Sequence, residues 1–528
     1  MSLKKLRSIL QRNFGIAPDP MYFAGDMDVI KSYYEFRRDN HMDSFLVDDI
    51  TWNDLNMDSI FKRINPGLTT SGEQYLYYQL RSPAIEPDTY KKRKELLDMM
   101  EEYPDLRLQI QMVLAKLGRT RHIDINRALK PKPHNSKWLI IYILQIILLL
   151  ASFVYCGVVG YKGFMATLAV MTLNGIVHEH RIAKCKLDFD TINYTVSLIY
   201  TVRAIRKLKI QKLDKYLEEA YIHLDRLGFA LKAGGVSTVK DGGLQDMINT
   251  IFMLDLITYE FLKSRIPKFQ KEIFSMHEIL GKLDAAIAIA SYRASLDDFS
   301  DPVIDFSSQN PYLQASDMFH PLLRNPVKNS INAETSILIT GSNASGKSTY
   351  LKTAALCALL SQTICTALSQ NYHASAFRIY SSMALNDDLL SGESYYIVEI
   401  RSIKRILNET QSTPPILCTI DEVLRGTNTV ERIAASSEIL KSLADHGVLC
   451  LAATHDGELC DLLSSQYEMH HFEEKIVNQN MIFDYQIHTG KATSRNAINL
   501  LELLGFEEAI IHGAHERANR YVNTGVWS

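Results

Sequence analysis

Lys347 and Ser348 close the segment Gly341-Ser342-Asn343-Ala344-Ser345-Gly346-Lys347-Ser348-Thr349, a GxxxxGK[ST] spacing suited to cradling phosphate. Its two essential glycines, Gly341 and Gly346, let the backbone turn tightly and aim N–H groups at an anion. The helix expected to follow adds the positive end of its dipole. In this pattern Lys347 would reach the β- and γ-phosphates, and the Ser348 hydroxyl would hold Mg²⁺. A second group suits hydrolysis of what the loop binds. Asp421 would complete the Mg²⁺ shell, and its neighbour Glu422 would polarise the attacking water. His455 is placed to sense the γ-phosphate or to orient that water. The candidate catalytic residues are therefore Glu422, His455 and Lys347.

The elements around these residues make the chemistry credible. Ser336-Ile337-Leu338-Ile339-Thr340 is an apolar run that predicts a buried strand, and Tyr350 to Leu356 predicts a helix. Pro415 to Ile420 is a second buried strand, delivering Asp421 and Glu422 at its carboxyl end. Val448 to Thr454 is a third, delivering His455. Carboxyl ends of parallel strands point into the nucleotide crevice of an α/β sheet.

The residues between these strands resemble the MutS family of mismatch-repair ATPases. Thr340 to Thr349 is similar to that family's P-loop, as are Asp421 to Thr427 and Ala453 to Leu459 to its later motifs. Asn386 to Ile400 resembles the segment whose serine reaches across a dimer to the partner's ATP, and Ser394 matches that serine. Gly490 to Ala497 and Gly505 to Ile511 resemble the closing part of the ATPase domain. Upstream, Asp48 to Leu55 and Gly72 to Pro83 look like the start of the core, or lever, domain, and His320-Pro321-Leu322-Leu323 looks like the beginning of the ATPase domain. The resemblance implies ATP and Mg²⁺ as cofactors, a homodimer, and DNA, mismatched or branched, as partner. Two departures stand out. Ala344-Ser345 replaces the usual Met-Gly of the P-loop. Only about forty residues precede the core match, fewer than a further domain needs. The mismatch-reading and connector domains are thus expected to be absent, and Tyr34-Glu35-Phe36 is not the Phe-x-Glu wedge.

Between Trp138 and Tyr161 there is no charged side chain, and about 20 apolar residues suffice to cross a bilayer. A shorter apolar stretch, Gly163 to Val177, follows. Arg119, Arg121, Arg127, Lys130, Lys132 and Lys137 precede the pair, and Arg181, Lys184 and Lys186 follow it. Both flanks are therefore expected on the cytoplasmic side of a membrane, joined by a hairpin of two crossings over residues 138–177.

The expected fold is an α/β P-loop ATPase domain of ABC/MutS type at the C-terminus, preceded by an all-α core/lever domain interrupted by a transmembrane helical hairpin. The expected segments are 1–44, N-terminal; 45–137, first part of the core; 138–178, hairpin; 179–315, lever helices; and 316–528, ATPase. Leu198, Val202, Ile205, Leu208, Leu213 and Leu217 form an apolar stripe at helical spacing. Arg203, Arg206, Lys207, Lys209, Lys212 and Lys215 beside it suit a solvated helix face or phosphate contact. A net charge of −3 over 528 residues does not advertise nucleic acid, and seven cysteines without a CxxC pair suit reduced thiols. The expected function is a membrane-tethered, ATP-dependent DNA-binding protein of mismatch-repair type, in which ATP drives a lever or clamp change. The alternatives are an ATP-switched membrane scaffold that binds a protein without DNA, and a transporter-type ATPase, which Leu390-Ser391-Gly392-Glu393 superficially echoes.

Overall fold

The computed structural model describes residues 2–18, 22–120, 137–231, 244–342, 345–383, 395–425, 427–477, 480–492, 498 and 505–524. Two compact units divide the chain. The first comprises Met1–Met42, Lys62–Tyr78 and Leu96–Ser295; the second comprises Asp43–Phe61, Gln79–Glu95 and Leu296–Ser528.

The first unit is helical. Its central helix, Gln270–Ala294, buries Met276, Leu280, Leu283 and Ile287, the three-and-four spacing of a core-facing stripe. Gly281 permits close packing there, because a Cβ on it would stand 2.7 Å from the Ser71 carbonyl oxygen. The neighbouring Asp284 carboxylate accepts from the Thr69 amide at 2.9 Å and from the Thr69 hydroxyl at 2.5 Å. These bonds satisfy orphan donors where helix Thr70–Arg81 begins.

The expected apolar stripe is shared by two helices. Leu198, Val202 and Ile205 are buried on helix Tyr161–Lys207, while Leu213 and Leu217 are buried on helix Gln211–Leu231. Lys209 breaks the run between them with a positive φ of 52°. Several of the basic residues nearby are engaged within the chain. Arg206 pairs with Asp225 at 2.6 Å, Arg203 lies over Tyr200, and Lys212 lies over Tyr103.

Helix Lys137–Val159 turns at Gly160, whose φ of 69° suits glycine, into the 47-residue helix Tyr161–Lys207. The two pack closely. A Cβ on Gly163 would meet the Cys156 Cα at 2.4 Å, and the Thr167 hydroxyl donates to the Ser152 carbonyl at 2.9 Å. The apolar stretch 163–177 is thus not a separate short helix; it is the start of one that continues into the helical unit. Among the described residues one helix, Lys137–Val159, is long and apolar enough to cross a membrane by length and composition. Around Asn174, His178 and Arg181 the long helix becomes polar and buried. His178 meets Asp255 at 2.9 Å, and Arg181 meets the Tyr142 hydroxyl at 2.9 Å and Glu260 at 3.3 Å.

Among the described residues the second unit holds two sheets built from ten strands: β1 Val303–Asp305, β2 Leu313–Met318, β3 Asn329–Ala333, β4 Ser336–Thr340, β5 Asn371–Ser375, β6 Arg378–Ser382, β7 Ile416–Asp421, β8 Leu449–Ala453, β9 Tyr467–Val477 and β10 Asn480–Thr489. The smaller sheet runs β1-β5-β2-β3, the larger β10-β9-β4-β8-β7-β6. In the larger one every pairing is parallel except the β9–β10 edge. Strands β4, β7 and β8 are buried along their whole length, as continuous apolar runs in a parallel sheet require. Their core packs Ile403 and Ile406 of helix Tyr395–Asn408 and Leu440 and Leu443 of helix Thr429–Asp445.

The start of the segment expected as core, helix Asp49–Asp54, belongs to this second unit. Thr51 accepts from the Ser381 amide at 3.1 Å, and Asp54 accepts from the Ser381 hydroxyl at 2.6 Å, closing the end of β6. All seven cysteines are free thiols; Cys156 and Cys185 are only half-buried.

Candidate nucleotide site

Because β4 lies beside β8 and β8 beside β7, three carboxyl ends open on one edge of the sheet. The first delivers the phosphate-type loop. Gly341 and Gly346 adopt φ of 145° and 112°, and a Cβ on Gly341 would stand 2.9 Å from the Phe472 carbonyl oxygen. Helix Lys347–Ile364 follows at once, so the expected strand, loop and helix are all present. Asn343 and Ala344 lie outside the described residues.

Lys347 is buried, with its ammonium donating to the Gly341 and Ser342 carbonyls at 2.8 and 2.7 Å. Burial pulls its pKa down to about 8, against the opposing pull of Asp421 and Glu422. Asp421, the last residue of β7, is buried and sits opposite Ala453 of β8. Glu422 steps off the strand with a left-handed φ of 61° while its amide donates to the Ala453 carbonyl at 2.9 Å. That backbone turn swings its carboxylate toward β8. There His455 Nε2 lies 2.8 Å from Glu422 Oε1, and Arg425 Nε lies 2.7 Å from Oε2. The hydrogen bond to His455, helped by the charges of Arg425 and Lys347, holds the Glu422 carboxyl below its ordinary range. His455 Nε2 is also 3.5 Å from Lys347 Nζ.

These groups line one cavity of about 580 Å³ with Ser345, Gly346, Ser348 and Thr349. Lys347, Glu422 and His455 are brought together, and Asp421 and Ser348 share the same cavity. Ser342 instead donates to Glu474 of β9 at 2.7 Å. Ser394 lies outside the described residues; helix Tyr395–Asn408 starts immediately after it.

A triphosphate and Mg²⁺ fit this donor set. Among the described residues the Ser345 hydroxyl, buried in the cavity wall, has no hydrogen-bond partner, and Lys347 places a cation in the same cavity. Among the described residues no cluster of three or more His, Cys, Asp or Glu forms a cage for a metal. One carboxylate and one hydroxyl, with the remaining ligands from phosphate and water, is how proteins usually hold Mg²⁺.

The far wall was not foreseen from sequence. Leu323, Pro326, Val327 and Tyr485 make it apolar, suited to a nucleobase. Tyr485 has a φ of 53° within an irregularity of the β9–β10 pairing, and its carbonyl accepts from the Asn329 side chain at 2.9 Å. Glu474 and Arg425 were missed as well. Arg425 sits inside the Asp421 to Thr427 motif, whereas nothing local to Glu474 marks it.

A buried parallel sheet with a glycine loop at one carboxyl end and an acidic pair at another defines a P-loop nucleotide-binding domain. The family model described as MutS domain V matches residues 337–521. The DNA mismatch repair protein MutS of Thermotoga sp. (strain RQ2) is 30% identical over 283 residues, 49% of this chain and 35% of that protein. The DNA mismatch repair protein MSH3 of Kluyveromyces lactis is 32% identical over 220 residues, 40% of this chain and 21% of that protein. MutS of Natronomonas pharaonis is 26% identical over 276 residues, 50% of this chain and 31% of that protein. Residues 337–521 are thus similar to the ATPase part of MutS proteins, and the matched part of this chain spans about a third or less of the length of these relatives.

Proposed function

We propose that this chain is an ATP-hydrolysing, ATP-switched DNA-binding protein of MutS type, tethered to a membrane by its apolar hairpin. The observation that carries the ATPase reading is the convergence of Lys347, Glu422 and His455 on one cavity, with Asp421 and Ser348 in its wall. Lys347 trades its two loop carbonyls for the β- and γ-phosphates, and the loop amides take the remaining phosphate oxygens. Mg²⁺ held by Asp421 and Ser348 would neutralise charge on the β- and γ-phosphates. Glu422, kept ionised by His455 and Arg425, orients the attacking water. Ser394 of the partner subunit completes each site, so two ATP molecules are enclosed in a homodimer and closure moves the lever helices. Steady-state phosphate release by the detergent-purified chain tests this. Wild type hydrolyses ATP, whereas Glu422→Gln binds it and hardly hydrolyses it; equal rates would remove the assignment.

DNA as partner is supported by the relatives, which are DNA mismatch repair proteins. The membrane tether is supported by helix Lys137–Val159, whose most apolar window has a mean hydropathy of 2.5 and is only 17% buried. Ile147, Leu148, Leu150, Val154 and Val158 are exposed on it, and Phe164 and Leu168 on the facing helix. From Tyr142 to Gly160 the helix rises about 27 Å at 1.5 Å per residue, close to the ~30 Å hydrocarbon core. At the lower end of that stretch Arg181 lies over Trp138 and donates to the Tyr142 hydroxyl, closing the apolar part of the hairpin with a polar, buried cluster. The Lys and Arg content of both flanks supports a cytoplasmic side for them, and with them for the N-terminus and the ATPase domain.

A further inference from the structure

Glu399 lies in the second turn of helix Tyr395–Asn408 and is buried. Its Oε1 accepts the Leu424 amide at 2.7 Å and its Oε2 accepts the Arg425 amide at 3.1 Å. Two successive N–H groups converge on one carboxylate only where the backbone folds into a concave nest. Leu424 provides that fold with a φ of 60°, a conformation that costs a branched residue energy and persists only when its surroundings enforce it. Each of these bonds is charge-assisted and therefore stronger than a neutral one.

The consequence runs to the reaction centre. With its backbone held, Arg425 folds back toward β7. Its Nη2 donates to the Asp421 carbonyl at 3.1 Å, and its Nε flanks Glu422 Oε2 at 2.7 Å. A continuous series of contacts thus joins helix Tyr395–Asn408 to Glu422 and, through it, to His455.

We propose that Glu399 is a positioning residue: it locks the loop after β7 so that Arg425 holds Glu422 for hydrolysis, and it ties to that loop the helix that follows Ser394. The inference rests on the reading of Glu422 as the residue that orients water.

The test separates kcat from nucleotide affinity in the full-length, detergent-purified protein. Phosphate release and binding of a fluorescent ATP analogue are measured for wild type, Glu399→Ala and Glu399→Gln. Glu399→Ala lowers kcat at least about tenfold while the Kd changes less than about twofold, the signature of an interaction that matters in the transition state. Glu399→Gln keeps one carbonyl oxygen for an amide and recovers part of the rate. Unchanged kcat in Glu399→Ala, an equal loss of kcat and affinity, or a glutamine variant no better than alanine would each overturn the proposal. Glu422→Gln run alongside keeps the two readings apart. If it hydrolyses at the wild-type rate, the role of Glu422 fails; if only Glu399→Ala is normal, the role of Glu399 alone fails.

Discussion

Glu422 Oε1 lies 2.8 Å from His455 Nε2, although the two residues leave different strands of the sheet. Parallel pairing of β7 with β8 makes this meeting possible, because Asp421 pairs with Ala453 and both chains then turn over the same edge. The left-handed backbone of Glu422 aims its side chain sideways along that edge. One oxygen faces His455 and the other faces Arg425, so the carboxylate is oriented from both sides.

If that orientation serves hydrolysis, Glu422→Gln lowers kcat by about 10² or more, the usual contribution of a positioned base. ATP affinity stays within a few-fold of wild type. Quench-flow of a single turnover checks this, since slow product release would leave the first turnover fast.

Lys347→Ala acts on binding instead. Removing the buried ammonium deletes charge-assisted bonds to phosphate, so the Kd for ATP rises at least about tenfold, while that for adenosine, which lacks phosphates, is unchanged. Titration calorimetry with both ligands distinguishes the two. A parallel loss for adenosine would point to a collapsed cavity.

If Ser394 acts on the partner's nucleotide, Ser394→Ala weakens hydrolysis without abolishing binding by the P-loop. Mixing Ser394→Ala with Lys347→Ala protomers gives dimers with one P-loop and one wild-type serine facing it. Those dimers regain activity that neither variant shows alone. No recovery on mixing would contradict a composite site.

Asp284 supplies a pH prediction in the helical unit. Burial, with Glu73 adding to it, pushes its carboxyl up from 3.8 to about 7. The folded chain therefore keeps a proton that the unfolded chain releases near pH 4. Its contribution to stability is complete below about pH 4, falls as pH rises toward 7, and is flat above that. Asp284→Asn removes the dependence, gaining on wild type by on the order of 4 kcal/mol at most between pH 4 and 8. Thermal unfolding of both proteins at pH 5 and pH 8 checks it; an offset that does not change with pH would contradict the assignment.

The hairpin makes a separate prediction. Leu148→Arg with Val154→Arg places two charges on its exposed face, at a cost of roughly 2.5–3.5 kcal/mol each by insertion scales. The double variant leaves the membrane fraction for the soluble one or fails to accumulate. A wild-type chain that is soluble without detergent would contradict the tether.

Legibility from sequence followed the range of the interactions. Ser336–Thr340, Ile416–Asp421 and Leu449–Ala453 were readable as strands because a buried parallel strand is a continuous apolar run. Lys347, Asp421, Glu422 and His455 were readable because each is placed by the strand it follows. Glu399, Glu474 and Tyr485 were not, since their importance comes from contacts with residues distant in sequence. The run around Leu208 was misjudged as one stripe for a related reason. Spacing alone does not show that Lys209 adopts a positive φ and splits the helix. The apolar helix pair was half readable: one long apolar helix is plain in composition, whereas the continuation of its partner to Lys207 depends on packing in the helical unit.

The proposed function makes DNA binding by this protein depend on ATP. Fluorescence anisotropy of the detergent-purified chain with perfect and mismatched duplexes, with and without ATP and at two salt concentrations, tests it most directly. ATP-dependent binding that weakens steeply as salt rises is expected, because phosphate contacts release counterions. No binding to either duplex at low salt, by a protein that still hydrolyses ATP, would contradict it.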